Sequence, residues 1–179
     1  METLIFDTSA LLNFGHRGEM EFLLARLAGG YHLVTTEAVV RELTKPELSE
    51  FYRSFLKENF AVRSSGETKL SLEKIEELSG ILGSGELSVI LLAAETKAIA
   101  VLDETAARRE TGPLGIRTAG TLGLLEACRK KGWIKENECM ERLSRLRKAG
   151  FRIRKPGANE TFAEYFSSLG GKKNKSYLI

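Results

Sequence analysis

The chain has 179 residues, of which 42% are hydrophobic and 28% are charged. This size and composition are typical of one globular domain and exclude collagen-like and low-complexity chains. No apolar run reaches the roughly 20 residues that a membrane-spanning helix needs, and acids at positions 2 and 7 are unlike a signal peptide, so we expect a cytoplasmic protein with no membrane partner. The net charge of +3 is uneven, because residues 1–129 hold 14 Lys and Arg against 19 acids, whereas residues 130–179 hold 13 against 5. The basic segment fits a polyanion-binding edge and, equally, a solvated helix face.

Short apolar runs alternate with amphipathic segments along the chain, which predicts strands and helices in turn. We predict strands at 4–6, 31–35, 99–102, 116–118 and 151–153 and a short apolar run at 60–62. We predict helices at 19–27, from Thr36 to before Pro46, and at 47–58, 71–79, 86–97, 121–131, 137–148 and 159–168. This alternation predicts an α/β fold with three layers, α/β/α, and a central parallel sheet. We expect one domain over residues 1–169 and a flexible basic tail at 170–179.

Residue counts exclude several kinds of chemistry. Two histidines cannot form a three-histidine zinc site, and Cys128 and Cys139 lack the spacing of a disulfide scaffold or a cysteine metal site. The chain also lacks the glycine-rich phosphate loops and the GxSxG nucleophile motif. Only two of the 24 acidic residues are aspartates, Asp7 and Asp103. Each follows a predicted strand, and ligands of open parallel sheets bind beyond the carboxyl ends of the strands.

Helical spacing adds a glutamate to these aspartates. Glu42 shares a face with Ala38 and Val39, which is the apolar face of its predicted helix. Glu37 and Arg41 lie on the outer face, where they are spaced to form an ion pair. A carboxylate on an inward face is unfavourable unless it has a partner.

A fourth acid, Glu86, follows the same pattern. It shares the inward face of its helix with Val89 and Ile90 and lies in the first turn, where the helix dipole favours its ionised form. Glu95 lies near the other end of the same helix, where the helix dipole does not favour a negative charge. The residues therefore predict a catalytic crevice of four acids: Asp7, Glu42, Glu86 and Asp103.

Four carboxylates without a histidine select hard divalent cations such as Mg²⁺ or Mn²⁺. Such ions hold a water for attack and neutralise the charge that builds up on a phosphate. Without a metal, four acids in one crevice would repel one another and any nucleic acid. We therefore predict a divalent metal cofactor, Mg²⁺ or Mn²⁺.

With these residues in place, the chain resembles a PIN-domain protein of the VapC-like ribonuclease group, in a prokaryotic subgroup. Five ordered stretches, which together fall within about residues 3–148, carry the resemblance. They are LIFDTSALLNF (4–14), VTTEAVVREL (34–43), LGSGELSVILLA (82–93), VLDETAARR (101–109) and TAGTLGLLEACRKKGWI (118–134).

The resemblance implies a Mg²⁺- or Mn²⁺-dependent endoribonuclease in which Asp7, Glu86 and Asp103 hold the metal. Glu42 then corresponds to the acid of the second helix and either completes the metal shell or orients the water. Three further residues match positions that support the metal or the substrate. They are Ser9, Thr118 and Glu104, the last standing where many relatives have a second aspartate.

Arg108 and Arg109 follow Asp103 at the start of a helix and are candidates to bind RNA phosphates. The leading hypothesis is thus an RNA-cleaving enzyme, in one version the toxin of a toxin–antitoxin pair with an antitoxin protein as partner, and family habit implies a homodimer. The alternative is a catalytically quiet module with the same fold that binds RNA or a protein. The intact set of acids favours the enzyme, because a binding module would gain from losing four negative charges near RNA.

Overall fold

A computed structural model describes residues 1–43, 50–66, 68 and 70–169. The predicted basic tail at 170–179 lies outside these residues, as do the predicted helix end before Pro46 and the first residues of the helix predicted at 47–58. Within the described residues, no helix combines the length and the apolar character needed to cross a membrane.

The core of the fold is a parallel sheet whose strands run in the spatial order β3-β2-β1-β4-β5. In chain order the strands are β1 (Glu2–Phe6), β2 (Tyr31–Thr36), β3 (Ala61–Arg63), β4 (Ile99–Val101) and β5 (Thr118–Ala119). The central strand β1 ends in Leu4, Ile5 and Phe6, which are completely buried, as expected for a strand that is covered on both faces. Phe6 lies opposite Thr35 of β2 and Val101 of β4, so these three strands end at the same level.

Helices cover both faces of this sheet. They are α1 (Thr8–Leu12), a π-helix (Asn13–Arg17), α2 (Glu21–Ala28), α3 (Glu37–Leu43), α4 (Glu50–Asn59), α5 (Leu72–Ser79), α6 (Ser84–Thr96), α7 (Thr105–Thr111), α8 (Thr121–Lys130), α9 (Glu136–Lys148) and α10 (Phe162–Leu169). On one face α6 packs against β1, β2 and β4 and contacts α5 and α7. On the other face α2 contacts α4 and the π-helix, the π-helix contacts α9, and α9 packs with α8 and α10. The predicted three-layer α/β/α fold with a parallel sheet is confirmed.

The differences from the predicted elements are local. The sequence pattern gave no helix before residue 19, whereas α1 and the π-helix occupy residues 8–17. The strand predicted at 151–153 is wrong, because this segment is irregular and pairs with no strand of the described sheet. Thr36 does cap α3, since its hydroxyl accepts a hydrogen bond from the Val39 N–H at 3.3 Å.

Candidate active site at the carboxyl edge of the sheet

Asp7 and Asp103 lie where the strand order changes direction. From β1 the chain crosses to β2 and β3 on one side, and then returns to β4 and β5 on the other. Asp7 follows β1 and Asp103 follows β4, which are neighbours, and the Asp7 N–H donates to the Val101 carbonyl at 3.2 Å. This position is the topological switch point, where open α/β sheets bind their ligands.

The Asp7 carboxylate is buried and forms no ion pair with the residues that the structure describes. Only 1% of the residue is exposed, and its Oδ1 accepts a hydrogen bond from the Ala10 N–H at 2.7 Å, which caps α1. Burial first, and then the charges of Asp103 and Glu86, raise the pKa of Asp7 well above its ordinary value, although N–H groups of Ala10 and Ser9 oppose the shift. The ionised form is therefore disfavoured in the protein alone.

The Asp103 carboxylate is held by three hydrogen bonds. Its Oδ1 accepts from the Thr121 N–H at 2.7 Å. Its Oδ2 accepts from the Thr121 hydroxyl and, at 2.9 Å, from Nδ2 of Asn13. Because these donors come from α8 and from the π-helix, two separate segments of the chain fix the orientation of this one carboxylate.

Glu42 reaches from α3 to the start of α6. Its Oε1 accepts from the Gly85 N–H and from the Ser84 hydroxyl, each at 2.9 Å, and its Oε2 accepts from the Thr8 hydroxyl. Gly85 leaves the room for this contact, because a Cβ atom there would lie 2.6 Å from Oε2 of Glu42.

Glu86 lies in the first turn of α6, half-buried beside the other acids. Its Oε2 accepts from the Gly83 N–H at 3.1 Å, which closes the helix start. Burial is the main cause that raises the pKa of Glu86, the Gly83 N–H opposes it, and the charges of Glu104 and Glu42 add to it.

Asp7 and Asp103 follow the neighbouring strands β1 and β4. Thr8, next to Asp7, donates to Glu42, and Glu42 accepts from the N–H of Gly85, next to Glu86, so the four acids lie at the same edge of the sheet. Two glutamates of the same helices lie elsewhere. Glu37 is exposed and pairs with Arg41 at 4.0 Å on the outer face of α3, while the far end of α6 carries Glu95, which accepts from the Gly66 N–H at 3.0 Å.

Ser9, Thr118 and Glu104, the three residues expected to support the metal or the substrate, differ in how they relate to the four acids. Ser9 donates its N–H toward Asp7, whereas Thr118 lies opposite Ala100 in the register of β4 and β5, before the strands end. Glu104 is exposed at the start of α7. Its charge acts on Glu86 and helps to raise the pKa of that residue.

Sequence reasoning did not find Asn13, Thr121 and Thr8, each of which donates a hydrogen bond to one of the four acids. Thr8 and Thr121 could have been found, since each begins a helix directly after a strand end. Asn13 gave no signal, because its inward direction depends on the π-helix.

The sequence profile of PIN domains matches residues 3–165. The chain belongs to the PIN-domain family. PIN domains are generally nucleases, so a nuclease-type hydrolase fits the geometry described above. Among solved structures, a PilT N-terminus domain protein from the hyperthermophilic archaeon Sulfolobus solfataricus P2 is similar, with a TM-score of 0.50 and 20% sequence identity over 70% of this chain and 92% of that one. Comparison with curated proteins gives no match.

Two arginines of this PIN domain follow Asp103 on α7. A Cβ atom at Gly120 would lie 3.1 Å from Oδ1 of Asp103 and 3.3 Å from Nη1 of Arg108. The guanidinium of Arg108 therefore faces the same small space as the Asp103 carboxylate, whereas Arg109 is exposed.

The donor set of the PIN domain fits a hard divalent cation by its chemistry. All four acids offer oxygen ligands, and the ion pairs of the described residues involve none of them. In the described part of the chain, however, no three His, Cys, Asp or Glu side chains are arranged to hold a metal ion. Each carboxylate is instead bound to N–H, hydroxyl or amide donors of the protein.

Proposed function

We propose that this PIN domain is a divalent-metal-dependent endoribonuclease. The observation that carries the proposal is the placement of carboxylates at the topological switch point, where Asp7 is buried and the charges of Asp103 and Glu86 act on it. Carboxylates that form no ion pair among the described residues are expected to bind a cation from solution.

Asp7, Glu86 and Asp103 would hold Mg²⁺ or Mn²⁺, which supplies a nucleophilic water and neutralises negative charge on the phosphate when bound. Asp7 and Asp103 are suited to this role because a backbone N–H holds one oxygen of each carboxylate at the end of its strand. Glu42 is anchored to the start of α6 and orients the attacking water or completes the ligand set. Ser9, Thr118 and Glu104 are the candidates for outer contacts.

Arg108 is the residue best placed to bind the substrate phosphate, because its guanidinium shares the space above Gly120 with Asp103. A guanidinium there would bind a phosphate oxygen through charge-assisted hydrogen bonds. Hydrolysis by in-line attack of water on phosphorus would break the bond to the 3′ oxygen and leave a 5′ phosphate. Arg109, exposed on the same helix, would contact a neighbouring phosphate.

RNA is the proposed substrate because the last 50 residues are basic, with 13 Lys and Arg against 5 acids. A basic segment in the same chain as the acidic site favours binding of a polyanion. A toxin that acts as a homodimer and is inhibited by an antitoxin protein is one biological setting for this activity. A small antitoxin that binds the purified chain and inhibits cleavage would support that setting.

The test is cleavage of single-stranded RNA by the purified chain with Mn²⁺, with Mg²⁺ and with EDTA, beside calorimetric titration of Mn²⁺ into the protein. We expect cleavage that depends on the metal and saturable Mn²⁺ binding. An Asp7→Asn variant should lose both, and Glu95→Gln is the matched control on α6. RNA binding without cleavage and without any Mn²⁺ response would instead identify a catalytically quiet binding module.

A further inference from the structure

Asn13 lies between Asp103 and Arg17 and is hydrogen-bonded to both. Asn13 is completely buried, its Nδ2 donates to Oδ2 of Asp103 at 2.9 Å, and its Oδ1 accepts from Nη1 of Arg17 at 3.2 Å. An amide has one accepting and one donating end. Because Arg17 can only donate, it fixes the accepting end toward itself and leaves the donating end to face Asp103.

The π-helix makes this arrangement possible, and its surroundings hold it in place. Gly15 packs directly on the ring of Tyr52, since a Cβ atom there would lie 2.3 Å from a ring carbon. The Tyr52 hydroxyl donates to the Leu11 carbonyl at 2.5 Å, so the ring is tied to the preceding helix α1. At Gly18 a Cβ atom would lie 2.3 Å from the Asn13 carbonyl oxygen. Single turns of π-helix occur frequently at functional sites.

We propose that Asn13 is a positioning residue that fixes the Asp103 carboxylate for the metal and that Arg17 acts through Asn13, an inference that rests on the function proposed above. Residues that orient a metal ligand without touching the metal typically change metal affinity or activity by roughly 10–100-fold when they are replaced. The two oxygens of Asp103 are held by different donors. The Thr121 N–H holds Oδ1, while Asn13 and the Thr121 hydroxyl set the rotation of Oδ2.

A structural role for Asn13 would lead to a different expectation. If Asn13 served only as a hydrogen-bond acceptor for Arg17, its replacement would lower the stability of the metal-free protein. The response of the protein to Mn²⁺ would then stay unchanged. A positioning residue instead changes kcat and the response to Mn²⁺ while the KM for RNA stays the same, because the substrate contacts are untouched. Asn13→Leu separates the two, since leucine has nearly the shape of asparagine but can neither donate nor accept.

The experiment measures thermal unfolding of wild type and Asn13→Leu across a Mn²⁺ titration, beside kcat and KM for single-stranded RNA. We expect Asn13→Leu to need about tenfold more Mn²⁺ for half of the maximal rise in Tm and to lose about 10–100-fold in kcat, with KM within about threefold of wild type. Asn59→Leu is the matched control, because Asn59 also donates from its amide, to the Phe55 carbonyl at 2.9 Å, but lies on α4. If leucine prevents folding, Asn13→Ala serves in the same assays.

The part of Arg17 is tested by a double variant. If Arg17 acts through Asn13, Arg17→Met alone should shift the Mn²⁺ midpoint in the same direction but less, and Arg17→Met combined with Asn13→Leu should behave as Asn13→Leu does. Losses that multiply would show that Arg17 and Asn13 act independently and would overturn the role assigned to Arg17.

The outcomes distinguish this inference from the function on which it rests. Wild type that responds to Mn²⁺, with an Asn13→Leu variant whose midpoint and kcat are unchanged, overturns the positioning role and leaves the proposed nuclease intact. Wild type without any Mn²⁺ response overturns both. A KM that rises as much as kcat falls would show a general loss of the site instead of a positioning effect.

Discussion

Two buried carboxylates of the described residues, Glu126 and Asp7, have opposite surroundings. Glu126 on α8 is 4% exposed, and the guanidinium of Arg129 donates to both of its oxygens, at 2.7 and 3.0 Å. Lys130 lies 3.7 Å away, and Arg129 extends the pairing to Glu136 of α9 at 3.1 Å. Asp7, which is 1% exposed, has N–H donors instead and faces other acids.

The difference separates a structural use of a charge from a functional one. In the Glu126 cluster the protein supplies the opposite charge, and the pairs join α8 to α9, where Glu136 also accepts from the Ala163 N–H of α10 at 2.9 Å. At the carboxyl edge the groups bonded to the Asp7 carboxylate are N–H dipoles, and among the described residues no ion pair involves Asp7, so a cation from outside can bind it. Buried charges without a partner are costly, and such sites are where function is expected.

The sharpest test of this comparison is Asp7→Asn. Asparagine keeps the size of the side chain and its ability to cap α1, but it removes a charged ligand for a hard cation. We expect cleavage of single-stranded RNA to fall by about 100-fold or more. The metal-free protein should unfold at a higher temperature, because one repelling charge is lost from the cluster. Thermal unfolding with and without Mn²⁺, beside the cleavage assay, measures both, and an unchanged cleavage rate would remove Asp7 from the catalytic set.

A smaller effect is expected from Glu42→Gln on α3. The amide keeps some hydrogen bonds to the start of α6 but lacks the charge, so cleavage should fall by about tenfold. Glu37→Gln on the same helix is the matched control, because the exposed ion pair of Glu37 with Arg41 is worth well under about 1 kcal/mol. Equal losses in both variants would show that the two faces of α3 do not differ in function.

Glu126→Gln should lower stability and leave cleavage unchanged, whereas Asp7→Asn should lower cleavage and raise the stability of the metal-free protein. Replacing the carboxylate leaves the half-buried Arg129 without its main partner, and we expect the free energy of unfolding to fall by about 1–3 kcal/mol. RNA cleavage per folded molecule and the Mn²⁺ midpoint should stay at wild-type values. Urea unfolding and the cleavage assay check this, and a change in metal response would mean that the two clusters are coupled.

The pH dependence of the metal-free protein sharpens the same contrast. The pKa of Asp7 is raised in the folded protein, so the folded state binds the proton more tightly than the unfolded state does. The free energy of unfolding should therefore fall as pH rises from the ordinary aspartate range through the raised pKa of Asp7, and stay at the lower value above it. Urea unfolding over a pH series should show this fall in wild type and a shallower one in Asp7→Asn. Identical slopes would contradict the assignment.

The smallest effects are expected from two glycine substitutions. In Gly85→Ala the new methyl group must displace the Glu42 carboxylate, which should cost about 1 kcal/mol of stability and reduce cleavage a few-fold. In Gly123→Ala, within α8, the methyl group meets nothing within 4 Å, and the protein should gain about 0.5–1 kcal/mol from helix propensity. Thermal unfolding of the pair measures this, and a stabilised Gly85→Ala would show that Glu42 moves freely.

The sequence predicted the parts of the fold that follow from periodicity. Asp7 and Asp103 could be placed because a continuous apolar run precedes each, and Glu42 could be separated from Glu37 because helical spacing assigns them to opposite faces. The structure agrees with both placements, while the catalytic and metal-binding roles of these residues remain predictions.

What could not be predicted depends on contacts distant in sequence. The π-helix packs against Tyr52, which is distant in sequence, and no local pattern predicted it, so Asn13 was missed. The segment at 151–153 alternates apolar and basic residues as an exposed strand would, but it has no strand beside it in the described sheet. Thr121, and not Thr118, contacts Asp103, because β5 ends at Ala119 and the hydroxyl comes from the helix that follows.

The short edges of the sheet have a consequence for how the protein opens. The outer strands β3 and β5 have only three and two residues, whereas β1, which carries Asp7 at its end, pairs on both sides. Fraying begins where few hydrogen bonds must break, so the amides of the outer strands exchange with solvent first and those of β1 last. Asp7 therefore follows the strand that we expect to exchange most slowly, and its N–H is bonded to Val101 of the neighbouring strand β4, after which Asp103 follows.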